Sequence, residues 1–135
     1  MNKEFIEDKP FKGVNFLQKA LTVANYENCN KFLLSLNFEN CLLKLSSFYQ
    51  VNIKKTYFME CNIQEVDFVE ADLTNAVFSN SGLTNAIFEK TNLEQADFRT
   101  SYGLIINPEN NRMKKARFSA SALNGLLTKY DILIE

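Results

Sequence analysis

The sequence predicts an all-β solenoid with a short C-terminal helix and a terminal strand, and three observations carry that reading. An apolar residue recurs every five positions, a small residue recurs two positions before it, and the pattern repeats on a step of twenty. Internal repeats take precedence over other signals, because a missed period mis-assigns the whole fold. From Phe38 the five-residue step reads Phe38, Leu43, Phe48, Ile53, Phe58, Ile63, Phe68, Leu73, Phe78, Leu83, Phe88, Leu93 and Phe98, with Phe and an aliphatic residue alternating. Two positions earlier, from Leu43 onward, stand Cys41, Ser46, Val51, Thr56, Cys61, Val66, Ala71, Ala76, Ser81, Ala86, Thr91 and Ala96, all small or β-branched. An α-helix spaces apolar residues by about 3.6 and a simple strand by 2, so neither accounts for this period.

The residue between the small and the apolar one is usually polar, as in Ala71-Asp72-Leu73, Thr91-Asn92-Leu93 and Ala96-Asp97-Phe98. A small residue, Asp or Asn, Leu or Phe, then two polar residues resembles the signature of the pentapeptide-repeat family, over at least residues 36–101. The resemblance implies a right-handed quadrilateral β-helix, in which each pentapeptide is one side of a square coil and four sides make a turn. Stepping by twenty gives the columns Phe38, Phe58, Phe78, Phe98 and Phe118; Leu43, Ile63 and Leu83; Phe48, Phe68 and Phe88; and Leu33, Ile53, Leu73 and Leu93. Coils stacked about 4.8 Å apart bring like side chains into contact along the axis, so these columns are the expected core.

In chain order, residues 1–12 are an N-terminal segment, 13–118 the repeat body and 119–135 a C-terminal cap. Phe11, Phe16, Leu21 and Tyr26 already step by five, with Val14 and Ala24 at small positions. Tyr26 to Leu33 is seven residues, so an irregular corner with two extra residues is expected at 27–32, around Cys29. The stretch 102–112 contains Gly103 and Pro108 among polar residues and reads as a loop leaving the coil. Residues 119–130 read as a short helix with Ser119 or Ser121 as its cap, Gly125 as a weak point, and Leu123, Leu126, Leu127 and Tyr130 as an apolar stripe. Asp131-Ile132-Leu133-Ile134-Glu135 reads as the terminal strand.

Composition narrows the function. The 135 residues include no His and no Trp and only 4 Gly, which removes the commonest general base, the commonest metal ligand and Gly-rich phosphate loops. No catalytic, cofactor-binding or metal-binding set can be assembled, so neither an enzyme nor a cofactor is expected. A formal net charge of −1 gives no reason to expect direct nucleic-acid or membrane binding. Neither a transmembrane stretch nor a signal peptide is seen, and Cys29, Cys41 and Cys61 form no metal-ligand spacing, so a cytoplasmic location is expected. Cys41 and Cys61 share one inward column, close enough for a disulfide on distance alone, although a pair of buried thiols fits a reducing compartment.

Charge is unevenly placed along the chain. Residues 56–98 hold Glu60, Glu65, Asp67, Glu70, Asp72, Glu89, Glu94 and Asp97 against Lys90, a net of −7. Residues 99–117 hold Arg99, Arg112, Lys114, Lys115 and Arg117 against Glu109, a net of +4. The acids are a candidate binding surface; Leu123, Leu126, Leu127 and Tyr130 are a candidate dimer cap. The tail is loosely similar to that of the quinolone-resistance, Qnr-like branch of the family. That resemblance implies a protein-binding homodimer, joined through its C-terminal end, which mimics DNA, binds DNA gyrase or topoisomerase IV and modulates quinolone sensitivity. The alternative is a structural or adaptor module with an unrelated protein partner.

Overall fold

The computed structural model describes the backbone of Val14–Leu17 and the whole of residues 36–135. The expectations for residues 1–12, for Leu21, Ala24, Tyr26 and Leu33, and for the corner at 27–32 with Cys29 lie outside the described residues. Four short strands, β1 (Val14–Leu17), β2 (Leu36–Glu39), β3 (Tyr57–Met59) and β4 (Val77–Ser79), form one parallel sheet in the order β1-β2-β3-β4. β2, β3 and β4 pair at an offset of twenty, Phe38↔Phe58↔Phe78. β1 pairs with β2 at an offset of twenty-two, Phe16↔Phe38, so two extra residues fall between Leu17 and Leu36.

Isolated parallel bridges extend the same offset. One ladder runs Leu42–Asn62–Gly82–Tyr102, one Ser47–Asp67–Ile87 and one Asn52–Asp72–Asn92–Arg112, while the strand ladder continues from Val77 to Asp97 and Arg117. The chain thus returns to the same four ladders every twenty residues. Each is named below for its first described inward residue: Phe38, Leu43, Phe48 and Ile53. Neighbouring coils are joined by a repeating set of bonds: the Leu43 amide donates to Asn62 O (2.8 Å), Leu45 to Gln64 O (3.1 Å), and Asn62 back to Cys41 O (3.0 Å).

Corners follow from the same five-residue unit. From Phe38 to Leu93 the residue two after each apolar one adopts the left-handed conformation, as at Asn40 (φ 51°), Leu45 (62°), Lys55 (59°), Glu65 (56°) and Asn85 (59°). A non-glycine residue there costs about 1 kcal/mol. A turn hydrogen bond offsets it at many corners, Ser46 N to Leu43 O (3.0 Å) and Ala76 N to Leu73 O (2.9 Å) among them. The polar residue before the apolar one closes a second local ring: Asp67 Oδ1 accepts from the Val69 amide at 2.8 Å, and Asp72 Oδ1 from Thr74 at 3.0 Å.

The apolar and small residues of each unit point inward and are buried from Leu36 to Phe98. Phe58 and Phe78 stack at 4.8 Å, Phe78 and Phe98 at 4.7 Å, and Phe98 and Phe118 at 5.3 Å. The second Phe column, Phe48–Phe68–Phe88, stacks at 5.4 and 5.1 Å and meets the first edge to face. Offset stacking within a column and edge contact between columns are the two favoured aromatic geometries.

Three expectations at the C-terminal end are corrected. Residues 102–112 keep the twenty-residue register that Phe118 implies, since Tyr102 and Arg112 both remain bridged at that offset, but the stretch does not leave the coil. Between them Leu104 and Ile106 turn inward and are buried, and Asn107 caps the short 3-10 turn Pro108–Asn110. The cap is a run of 3-10 turn (Ala120–Ala122), α1 (Leu123–Leu127) and 3-10 turn (Thr128–Tyr130); Ser119 stands at its N-cap, but neither serine makes a side-chain capping hydrogen bond. Ser119 and Ser121 instead hydrogen-bond to each other at 3.0 Å. The terminal strand does not form. Asp131 takes a left-handed conformation that ends the helical run, and the residues after it meet no backbone edge. Ile132 and Ile134 are half exposed and Leu133 is 90% exposed. Strand-like composition yields a strand only where an edge is free to pair.

Candidate functional site: outer ladders and the C-terminal cap

Inside the coil, polar side chains have structural partners. Cys41 and Cys61 form no disulfide, and both are buried. The Cys61 thiol donates to Phe38 O (3.4 Å) and Met59 O (3.3 Å). Burial pushes its pKa up to about 11, so it stays protonated and unreactive at neutral pH. One coil on, Ser81 Oγ donates to Phe58 O (3.2 Å) and Ser79 O (3.0 Å) in the same way. Stepping by twenty along the small positions gives Cys41, Cys61, Ser81 and Ser101, all hydrogen-bond donors. That signal was present in the sequence and marks a corner rather than a reactive site. Thr56 Oγ1 is the exception, a buried hydroxyl without a partner.

Outside, the ladders separate the eight candidate acids. Glu60 and Asp97 lie on the Phe38 ladder, Glu65 on the Leu43 ladder, Asp67, Glu70 and Glu89 on the Phe48 ladder, and Asp72 and Glu94 on the Ile53 ladder. Three are ion-paired: Asp72 with Lys54 (3.5 Å), Glu94 with Arg112 (2.8 Å) and Asp97 with Arg99 (2.8 Å). The hydrogen bond from Arg99 holds the Asp97 carboxyl below the usual carboxylate range. Glu70 accepts from Gln50 (2.7 Å) and Glu89 from Asn110 (3.3 Å). The structure therefore places three acids on two adjacent coils of the Phe48 ladder, Asp67 and Glu70 on one and Glu89 on the next, and disperses the others. Among the described residues, no three His, Cys, Asp or Glu side chains gather to hold a metal ion, and no helix is long and apolar enough to cross a membrane.

The cap lies against residues 104–109. A Cβ on Gly125 would stand 1.9 Å from Leu104 O, so only glycine permits this approach. The Ile106 amide donates to Gly125 O at 3.1 Å, and Leu126 packs against the core. Leu127 is partly buried, while Leu123 and Tyr130 are each 48% exposed. Tyr130 OH donates to Glu109 Oε1 at 2.7 Å, and Lys129 Nζ pairs with Glu109 Oε2. The Lys129 hydrogen bond, aided by Tyr130, lowers the Glu109 pKa, and Glu109 in turn raises that of Tyr130. A groove of about 510 Å³ lies between cap and coil, with Tyr102, Leu104, Ala122 and Gly125 in its walls.

Among curated proteins no sequence relative matches. Among solved structures, a trypsin-treated variant of QnrB1, described as a plasmid-mediated fluoroquinolone resistance protein, aligns with a TM-score of 0.62 at 16% identity over 97% of this chain. This chain spans 63% of that QnrB1 chain. HetL, a pentapeptide repeat protein involved in heterocyst differentiation regulation in the cyanobacterium Nostoc, aligns over 87% of this chain and 58% of its own, with a TM-score of 0.45 and 13% identity. A pentapeptide repeat protein of the Arabidopsis thaliana thylakoid lumen aligns over 76% of this chain and 67% of its own, with a TM-score of 0.41 and 20% identity. The QnrB1 likeness establishes a shared fold. The profile of the pentapeptide repeat region matches residues 19–98, and with that match the chain belongs to the pentapeptide-repeat family.

Proposed function

We propose that this chain is a right-handed quadrilateral β-helix that binds a protein partner on its outer ladders and performs no catalysis of its own. In this reading residues 13–118 form the coil body, 119–135 the cap, and the protein works in the cytoplasm. One observation carries the proposal. Inward side chains from Leu36 to Phe98 are buried, whereas the outward ones, polar residues interspersed with exposed Leu42, Tyr57, Met59, Ile87 and Tyr102, stand on backbone-pinned ladders. Recognition is then a property of the ladders. Exposed Leu123 and Tyr130 support a homodimer joined at the cap, which sedimentation of the wild type against a Leu126→Glu/Leu127→Glu variant would test. A photo-crosslinking residue placed in turn at Gln64, Val69, Thr74 and Ser79 tests the main proposal in cells. Adducts confined to one or two ladders support it; adducts at none of the four would sink it.

A narrower reading has its own observation. Asp67, Glu70 and Glu89 line two adjacent coils of the Phe48 ladder, which supports a DNA-mimicking surface for a type II topoisomerase, as the fold shared with QnrB1 suggests. The dispersal of the other five acids favours an adaptor with a different protein partner. A gyrase supercoiling assay with and without a fluoroquinolone separates the two. Inhibition, or rescue from the drug, establishes the topoisomerase reading; an inert titration leaves the adaptor.

A further inference from the structure

Charge counted by ladder differs from charge counted along the chain. The Ile53 ladder carries Lys54, Lys55, Arg112, Lys114 and Lys115 against Asp72 and Glu94, a net of +3. From Ser47 to Lys90 the Phe48 ladder carries Asp67, Glu70 and Glu89 against Lys90, a net of −2. Lys44 balances Glu65 on the Leu43 ladder, so one ladder alone is strongly basic.

Its two acids are already matched within the ladder, by Lys54 and by Arg112. Lys55, Lys114 and Lys115 are exposed, and none of the ion pairs among the described residues uses them. The pair Lys54-Lys55 recurs as Lys114-Lys115 sixty residues on, in the same register and three coils away. Three coils at strand spacing are about 14 Å. The backbone fixes both ends, since the Lys55 amide donates to Thr74 O (2.9 Å) and Lys114 O accepts from Gln95 (3.0 Å).

We propose that the Ile53 ladder is the partner-docking face, and that its partner presents an extended acidic protein segment running along the coil axis. This rests on the protein-binding reading above. An extended chain rises about 3.3 Å per residue with alternate side chains on one face, so acids at i, i+2 and i+4 span about 13 Å on one side. That span matches the distance between the two lysine pairs. A nucleic acid fits less well. Its affinity rests on many phosphate contacts or on base stacking, and among the described residues this ladder carries few uncompensated cations and no aromatic residue.

Fluorescence anisotropy with a labelled peptide of alternating Glu and Ser tests the proposal, with duplex DNA as the competing probe. The wild type binds the peptide at low salt and loses it as salt rises. Lys55→Glu/Lys114→Glu/Lys115→Glu weakens binding roughly tenfold or more. Glu60, Glu65 and Glu70 already occupy the left-handed corner that Lys55 and Lys115 occupy, so the reversal suits the fold, and a Lys→Gln triple variant provides a second check. Glu70→Gln/Glu89→Gln, on the Phe48 ladder, binds no more weakly than wild type. Equal binding by the Lys→Glu variant, no binding by wild type, or tighter binding of duplex DNA would overturn the proposal. None of these results touches the protein-scaffold reading, which the ladder crosslinks test separately.

Discussion

Gly125→Ala sets two physical arguments against each other. In an isolated helix, alanine is favoured over glycine by about 1 kcal/mol, so helix propensity predicts a more stable cap. The packing predicts the reverse. The added methyl would stand 1.9 Å from Leu104 O and 3.0 Å from Leu104 C. Non-bonded heavy atoms settle at about 3.5 Å or more, so cap and loop must separate by about 1.5 Å. That separation breaks the Ile106 N to Gly125 O bond and lifts Leu126 from the core. Losing the hydrogen bond costs about 1 kcal/mol and forcing a close contact about 1–3 kcal/mol, which outweighs the gain within a helix of five residues. The net expectation is a cap weakened by about 1–3 kcal/mol. Hydrogen exchange at the amides of Ile106 and residues 126–131, with urea denaturation alongside, measures it. Faster exchange there, with protection between Phe38 and Phe98 retained, is expected. A higher urea midpoint with unchanged cap protection would refute the packing argument.

Further predictions concern core, corners and charge. Phe78→Ala removes a fully buried ring stacked on both Phe58 and Phe98, and should cost about 3–5 kcal/mol; a thermal melt superimposable on wild type would contradict it. Thr56→Val should stabilise the chain by about 1 kcal/mol by removing a buried hydroxyl without a partner, at a position type that Val51 and Val66 already fill. Cys61→Ser should preserve stability, because Ser81 makes the equivalent contacts, whereas Cys61→Ala should lower the denaturation midpoint; native Cys61 should also resist iodoacetamide. Asp97 and Glu109 both have depressed carboxyl pKa values when folded. The stability they contribute is present above the unfolded carboxylate range and is lost as pH falls through it toward the folded values. Midpoints should therefore decline below about pH 5, and less steeply in Asp97→Asn/Glu109→Gln.

Much of the architecture was legible because one side of the coil is a five-residue unit with one chemical demand per position. Phe38, Phe58, Phe78 and Phe98 fall in one column, where rings of like shape stack face to face along the axis. The offset of twenty-two between β1 and β2 puts two surplus residues between Leu17 and Leu36, the number that the apolar spacing counts there. Where the unit is broken, local composition misleads. Gly103 and Pro108 suggest an excursion, but Leu104 and Ile106 fill the interior from different positions of the unit and the register survives. Ile132-Leu133-Ile134 has strand composition, but composition carries no information about whether an edge is available. Gly125 reads as a weak point until the Leu104 carbonyl is seen against it. Charge was misread for a geometric reason. Neighbours in sequence lie on different ladders, whereas Lys54 and Lys114, sixty residues apart, lie on the same one.

The central claim is that, from Leu36 to Arg117, a twenty-residue return places side chains inward for stacking or outward on one of four ladders. Proton NMR in solution tests it most directly, through nuclear Overhauser contacts between backbone protons on adjacent coils. The account predicts contacts at an offset of twenty along all four ladders, Asn52 with Asp72, Asp67 with Ile87, Gly82 with Tyr102 and Asp97 with Arg117 among them. Contacts at another offset, or helical connectivities between Phe38 and Phe98, would contradict it.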